Sequence, residues 1–173
     1  AGFSAVASFL KTTDEKDLGK LFMSCSSKFN EAASSTLGTI LSLGMMGMAR
    51  ALKGKEEANI SDVAEAMEQG ILRIMDKAKS KPGEKTILDA LYPAVEALKA
   101  NSSSSVKEAT RAAYEAAAAG SESTRNMKPV HGRAAYYGDK SIGMLDGGSV
   151  AGKFIFEGIY KYYSDNFRED NAK

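Results

Sequence analysis

Apolar residues recur at intervals of three and four along almost the whole chain, and no stretch alternates at intervals of two. A half-buried strand needs every second residue on its core face, whereas one face of an α-helix collects positions i, i+3, i+4 and i+7. The pattern therefore predicts an all-α protein. Leu18, Leu21, Phe22, Cys25 and Phe29 form a first stripe, and Leu37, Ile40, Leu41, Met45, Met48 and Leu52 form a second that stops at Gly54. The second segment carries Gly38, Gly44 and Gly47, each costing about 1 kcal/mol relative to alanine inside a helix. Close helix packing is the expected reason for Gly44 and Gly47. A third stripe runs through Val63, Met67, Ile71, Ile74, Met75 and Ala78, with Ser61 as the expected cap.

Pro82-Gly83 then signals a turn, and Pro93 predicts a kink or break within the next helix, "TILDALYPAVEALKA". A serine-rich loop leads into an alanine-rich helix expected to end near Gly120. The closing segment, "SVAGKFIFEGIYKYYSDNF", offers two apolar rows, one at 155, 159 and 163 and the other at 152, 156 and 160. Six or seven helices with short connections describe an antiparallel bundle in a single domain over residues 1–173.

Composition removes several function classes. The 23 basic residues nearly balance the 22 acidic ones and are scattered, so no nucleic-acid footprint is visible. One cysteine, Cys25, allows no disulfide framework within the chain and is read as a buried thiol in a reducing, cytoplasmic setting. No apolar run is long enough to span a membrane. Spacing of the zinc-hydrolase or paired-cysteine kind is absent, and His131, the only histidine, is expected to be a solvated loop residue.

The irregular stretch "NMKPVHGRAAYYGDKSIGMLDGG" is where function is expected, because long loops inside compact domains are commonly functional. It sets Arg133, Asp139, Lys140 and Asp146 among five glycines. Glycines let a backbone approach a ligand closely, and an arginine fork suits phosphate. The polar turn over residues 81–86 is expected to face this loop from a helix start, where exposed N–H groups favour an anion. Downstream, four residues separate Gly147 from Gly152-Lys153, as in a P-loop. Phe154 occupies the hydroxyl position, however, and no strand precedes, so Lys153 is read as an ordinary helix residue.

The segments "KPGEKTILDALYPAVEAL" and "STRNMKPVHGRAAYYGDKSIGMLDGGS" resemble two signatures of the nucleotide-binding subunit of dihydroxyacetone kinase. Those signatures read approximately KPGDKTMLDALxPAxxAL and GRASYLGERSIGxxDPGA. The resemblance covers nearly the whole chain, including "GF" at 2–3 and "KDLG" at 16–19. It implies a barrel of eight antiparallel helices holding ADP or ATP with magnesium, and a partner subunit that presents dihydroxyacetone. By that resemblance Thr86 and Ile87 flank the nucleotide, Arg133 meets phosphate, and Asp146 and Gly147 form the turn near the nucleoside. Gly38 ends the stretch Ser34-Ser35-Thr36-Leu37-Gly38, which matches the family's phosphate cradle GGASG with Leu37 in place of its hydroxyl. No catalytic nucleophile is implied on this chain. The family's magnesium-binding loop GDGDxG precedes the position of "GF", so its metal ligands, with the first family helix, are expected upstream of Ala1. The phosphoryl donor implied is ATP or a phosphotransferase-system phosphoprotein that recharges bound ADP. The stretch "GTILS" also resembles the nucleotide domain of fatty-acid kinases. A non-catalytic, regulatory nucleotide-binding relative stands as the other alternative.

Overall fold

The computed structural model describes the backbone of residues 1–170 and the side chains of these except Arg133, Ala134 and 166–170. Among the described residues there are only helices, turns and loops. They form two compact units, Ala1–Ser80 and Lys81–Lys173.

The first unit contains α1 (Gly2–Leu10), α2 (Leu18–Ala32), α3 (Thr36–Ala51) and α4 (Ile60–Ala78), each packed on the next. The first of these was not legible as a stripe; it is seated by Phe3, whose ring meets Phe29 of α2 edge-on at 4.9 Å. Asp17 starts α2 by accepting from the N–H groups of Gly19 and Lys20 at 2.8 and 3.1 Å. Its second oxygen takes the N–H of Gly54 at 3.1 Å, which ties the end of α3 to the start of α2. Cys25 and Phe29 face inward as their spacing predicts, and burial pushes the Cys25 thiol pKa up.

The glycines of α3 have the packing role expected of them. A Cβ on Gly47 would lie 2.6 Å from the carbonyl oxygen of Gln69 and 2.7 Å from the Cα of Gly70. One on Gly70 would lie 2.7 Å from the carbonyl oxygen of Gly44, so α3 and α4 touch backbone to backbone. The cap of α4 is Asn59 rather than Ser61. The Asn59 side chain accepts from the Asp62 N–H at 2.9 Å, and the Asp62 carboxylate accepts from the Asn59 N–H at 3.1 Å. This reciprocal pair satisfies two donors at once, and Ser61 already lies inside the first turn.

The second unit contains α5 (Leu88–Ala100), α6 (Val106–Ser123), the one-turn α7 (Gly132–Ala135) and α8 (Gly147–Asp170), with 3₁₀ turns at Thr124–Asn126 and Gly138–Ser141. Its core joins Leu88, Ala90, Leu91, Ala94, Val95 and Leu98 of α5 to Ala109, Ala113 and Ala117 of α6 and Phe156 of α8. Of the two apolar rows on α8, the one through Gly152, Phe156 and Tyr160 turns inward, and Tyr160 stacks on Tyr114 at 6.0 Å.

Two boundaries differ from expectation for one shared reason. The helix α5 continues across Pro93, and α6 continues past Gly120 to Ser123. Pro93 has no N–H for the carbonyl of Asp89, and Gly120 comes up against that same carbonyl. A Cβ on Gly120 would lie 2.0 Å from the Asp89 oxygen and 2.9 Å from the Pro93 ring. The glycine is a point of close approach, not a stop. Replacing it should therefore cost more than its helix propensity would return. Gly120→Ala is expected to destabilise the protein by about 1–3 kcal/mol in denaturant titration, because a methyl forced into a packed contact must displace backbone; a stabilised variant would mean that α5 and α6 do not meet there.

Candidate functional site

Asp89, in the first turn of α5, is buried and accepts from the N–H groups of Gly83 at 2.5 Å and Thr86 at 2.7 Å. Its carboxylate thereby closes the turn before the helix, with Gly83 at φ +93° and Lys85 at φ +60°. Thr86 adds a second cap, its hydroxyl accepting from the Leu88 N–H at 3.2 Å. The turn is thus folded by side chains that the helix itself supplies.

This turn meets the long loop, as expected for residues 81–86. The Glu84 carboxylate lies 2.7 Å from Nε2 of His131 and accepts from the Lys81 N–H at 3.0 Å. The Glu84 carbonyl accepts from the Val130 N–H at 3.3 Å. His131 is therefore tied to an acid rather than simply solvated, a pairing that distance in sequence concealed. The ammonium of Lys85 reaches the carbonyl oxygens of Ser141 at 2.6 Å and Met127 at 3.3 Å.

The other wall is the start of α8. Asp146 caps it by accepting from the Ser149 N–H at 2.6 Å. Buried hydroxyls fix that cap: Thr124 accepts from the Asp146 N–H at 3.0 Å, and Ser149 donates to the Asp146 carbonyl at 2.8 Å. Ser121 and Ser149 complete the cluster at 3.0 Å. Burial raises the Asp146 pKa; the N–H groups of Ser149 and Gly148 oppose the shift, the charge of Asp89 adds to it, and that of Lys85 opposes it.

The two walls touch. A Cβ on Gly148 would lie 3.2 Å from the Ile87 nitrogen, and one on Gly152 would lie 3.2 Å from Cγ1 of Ile87. Ile87 is buried, so its side chain is committed to packing on α8. Gly147, by contrast, faces open space, with nothing within 4 Å of an added Cβ. Thr86, Ile87, Asp146 and Gly147 are accordingly brought together around two adjacent helix N-termini. Helix starts carry a partial positive charge that suits an anion, and here Thr86, Asp89 and Asp146 already accept from N–H groups of both.

The remaining predicted residues belong to other elements. Arg133 belongs to α7, and its side chain is outside the described residues. Gly38 belongs to the first unit, in the opening turn of α3, where its N–H meets the Ser35 hydroxyl at 3.0 Å. A Cβ there would lie 2.0 Å from the Ala33 carbonyl oxygen, so local packing alone requires glycine at 38. Leu37 beside it is half-buried. Lys153 lies 4.9 Å from the exposed ring of Phe154, as an ordinary helix residue would. Among the described residues no three His, Cys, Asp or Glu side chains gather to hold a metal. No helix among them is long and apolar enough to cross a membrane.

Sequence reasoning missed Lys85, Asp89, Glu84 and Thr124. Asp89 had a signal, an acid three residues after Thr86 at a helix start. The others had none, since their partners are remote in sequence.

The model of the DAK2 domain matches residues 1–161. The chain is 27% identical over 158 residues to the ADP-binding subunit of the PEP-dependent dihydroxyacetone kinase of Escherichia coli, covering 90% of this chain and 75% of that one. It is 27% identical over 143 residues to the L-erythrulose kinase of Pectobacterium atrosepticum, covering 82% of this chain and 24% of that one. The crystal structure of the dihydroxyacetone kinase of C. freundii in complex with AMP-PNP and Mg2+ superposes with a TM-score of 0.68 at 23% identity, over 93% of this chain and 27% of that one. The chain thus spans three quarters of a separate ADP-binding subunit and about a quarter of the longer kinases.

The shifted carboxylate at the start of α8 gives a pH test. A raised folded pKa means that the folded protein holds the Asp146 proton more tightly than the unfolded chain. The resulting stabilisation is present below the ordinary carboxylate pKa and is lost as pH rises through the folded value. Asparagine keeps the cap without the charge. At pH 7 Asp146→Asn should match or exceed the parent in thermal melts, with the gap closing below about pH 4, whereas Asp146→Ala should lose about 1 kcal/mol. An asparagine variant less stable than the parent at pH 7 would mean that the charge itself supports the fold.

Proposed function

The chain belongs to the DAK2-domain family, and on that premise we propose that it is the ADP- or ATP-binding module of a dihydroxyacetone kinase. In this reading residues 1–173 act as one nucleotide-binding domain, and a partner subunit holds the dihydroxyacetone that receives the phosphoryl group. The observation that carries the reading is the contact of Ile87 with Gly148 and Gly152, which sets the start of α5, with Thr86, beside the start of α8, with Asp146 and Gly147. The space over Gly147 lets a ligand approach backbone, and the two helix N-termini favour negative charge there.

Phosphoryl transfer needs little covalent chemistry from protein; it needs positioning and neutralisation of charge on the phosphates. The backbone around Thr86 and Gly147 serves the first need. Arg133 serves the second, by the family resemblance of its segment. The Asp146 cap holds the α8 start in place, and Gly38 belongs to the stretch that aligns with the family's phosphate cradle. Magnesium, which supplies further charge neutralisation when bound with a nucleotide, has no ligand set among the described residues, so no step is assigned through it. ATP and a phosphotransferase-system phosphoprotein are both compatible donors. A nucleotide-binding relative without kinase activity is the competing reading, favoured by Leu37 at the cradle position.

Calorimetric titration with ADP and magnesium tests the reading directly. With any aspartates upstream of Ala1 included, the protein should bind, and Arg133→Ala should lose roughly 1.5–3 kcal/mol of binding, the usual worth of a hydrogen bond to a charged group. Unchanged affinity would remove Arg133 from the phosphate site.

The Leu37 position gives an independent outcome. If the 34–38 stretch cradles phosphate, Leu37→Ser restores a missing hydrogen bond and tightens ADP binding by about ten- to a hundredfold, at modest loss of melting temperature. If Leu37 only packs, the same variant loses stability with no gain in affinity, and the cradle assignment falls.

A further inference from the structure

We propose that Lys85 is a positioning residue whose ammonium clasps both ends of the 127–141 excursion and so presets α7, the turn of helix that carries Arg133. The inference rests on the nucleotide-binding reading for its functional half and on geometry alone for the clasp.

Neither backbone nor burial favours lysine at position 85. Its φ of +60° lies in the left-handed region, where glycine is at ease and a side chain is strained. Its residue is only 3% exposed, and an ammonium withdrawn from water must find strong partners. The partners it finds are two main-chain carbonyls, Ser141 at 2.6 Å and Met127 at 3.3 Å, at opposite ends of the excursion. One cation thus joins two points fourteen residues apart in sequence.

Just outside its ends the excursion is also closed by Arg125 and Gly143, the Gly143 N–H donating to the Arg125 carbonyl at 2.8 Å and the Arg125 guanidinium to the Gly143 carbonyl at 2.9 Å, but no apolar core holds the stretch between. Among its described residues Ser141 alone is buried, while Tyr136 and Tyr137 are 92% and 66% exposed. Without an apolar anchor, its path depends on polar ties. The neighbouring Glu84 adds to the clasp through Val130 and His131, and a surface pair, Lys128 with Asp139 at 2.7 Å, joins positions close to the two ends of the excursion. Glu84 and Lys85 together therefore lock the loop to the turn that begins α5. A ligand meeting Thr86 and the α7 segment finds them already in register, which removes an ordering cost from binding.

Three variants separate this role from simple stability. Lys85→Met keeps the stem and removes the ammonium, Lys85→Gly also relieves the left-handed backbone, and Lys85→Arg keeps a cation with donors for both carbonyls. The readouts are trypsin cleavage after Arg133 and Lys140 without nucleotide, the melting temperature, and ADP affinity with magnesium by calorimetry. Cleavage in the methionine and glycine variants should quicken by about tenfold or more, since local opening exposes those bonds. ADP affinity should fall by about tenfold in both, even where glycine recovers the melting temperature, and arginine should restore part of each loss. Affinity that tracks melting temperature across the three variants, or cleavage that does not change, overturns the proposal. If the unaltered protein, with any aspartates upstream of Ala1 included, binds no ADP, the nucleotide reading fails, and the cleavage rates still decide whether Lys85 clasps the loop.

Discussion

The buried carboxylate of Asp89 sets the geometry on which the second unit's site depends. By accepting from Gly83 and Thr86 it folds residues 83–89 into a closed turn at the start of α5. That turn sends Glu84 and Lys85 toward the long loop and brings Ile87 under the start of α8. Remove the carboxylate and two backbone donors lose their acceptor, the left-handed residues at 83 and 85 lose their restraint, and the loop loses its two ties. One side chain in the first turn of one helix thus organises segments up to sixty residues downstream.

Small residues let the helices come close enough for such short polar contacts to form. Alanines at 90, 94, 109, 113 and 117, with Gly120, bring α5 and α6 together, and Gly152 admits α8 against Ala90 and Ile87. In the first unit Gly44, Gly47 and Gly70 do the same for α3 and α4. Such packing stabilises through many weak dispersion contacts and leaves no slack. It also explains why glycines, poor helix formers by propensity, recur inside these helices beside the alanines.

The site is accordingly a property of helix beginnings rather than of helix faces. Asp17, Asn59, Ser105, Asp89 and Asp146 all occupy helix N-termini as caps or first-turn acceptors. Two of these, Asp89 and Asp146, are brought near enough for their charges to interact, with Lys85 beside them. An anionic ligand at this point would meet backbone donors and the dipoles of two helices, and the protein's contribution to phosphoryl transfer would be arrangement rather than a reactive group.

The helices were legible in the sequence because the three-to-four repeat of Leu18 to Phe29, or of Val63 to Ala78, follows directly from which face must be buried. The resemblance of the 81–98 and 123–149 segments to known signatures also singled out two segments that the fold packs together at the starts of α5 and α8. What could not be read locally was every feature that depends on a second chain segment. Pro93 reads as a kink or a break and Gly120 as lying near a helix end, and neither reading shows that the two meet across a helix contact. His131 reads as solvated until Glu84 arrives from 47 residues away. Nothing in the sequence singles out Lys85 within its polar turn, since neither its left-handed backbone nor its two carbonyl partners leave any periodic trace. Periodicity records the burial of a side chain, which each helix specifies for itself; the partner of a buried polar group is specified only by the tertiary fold that brings the two together.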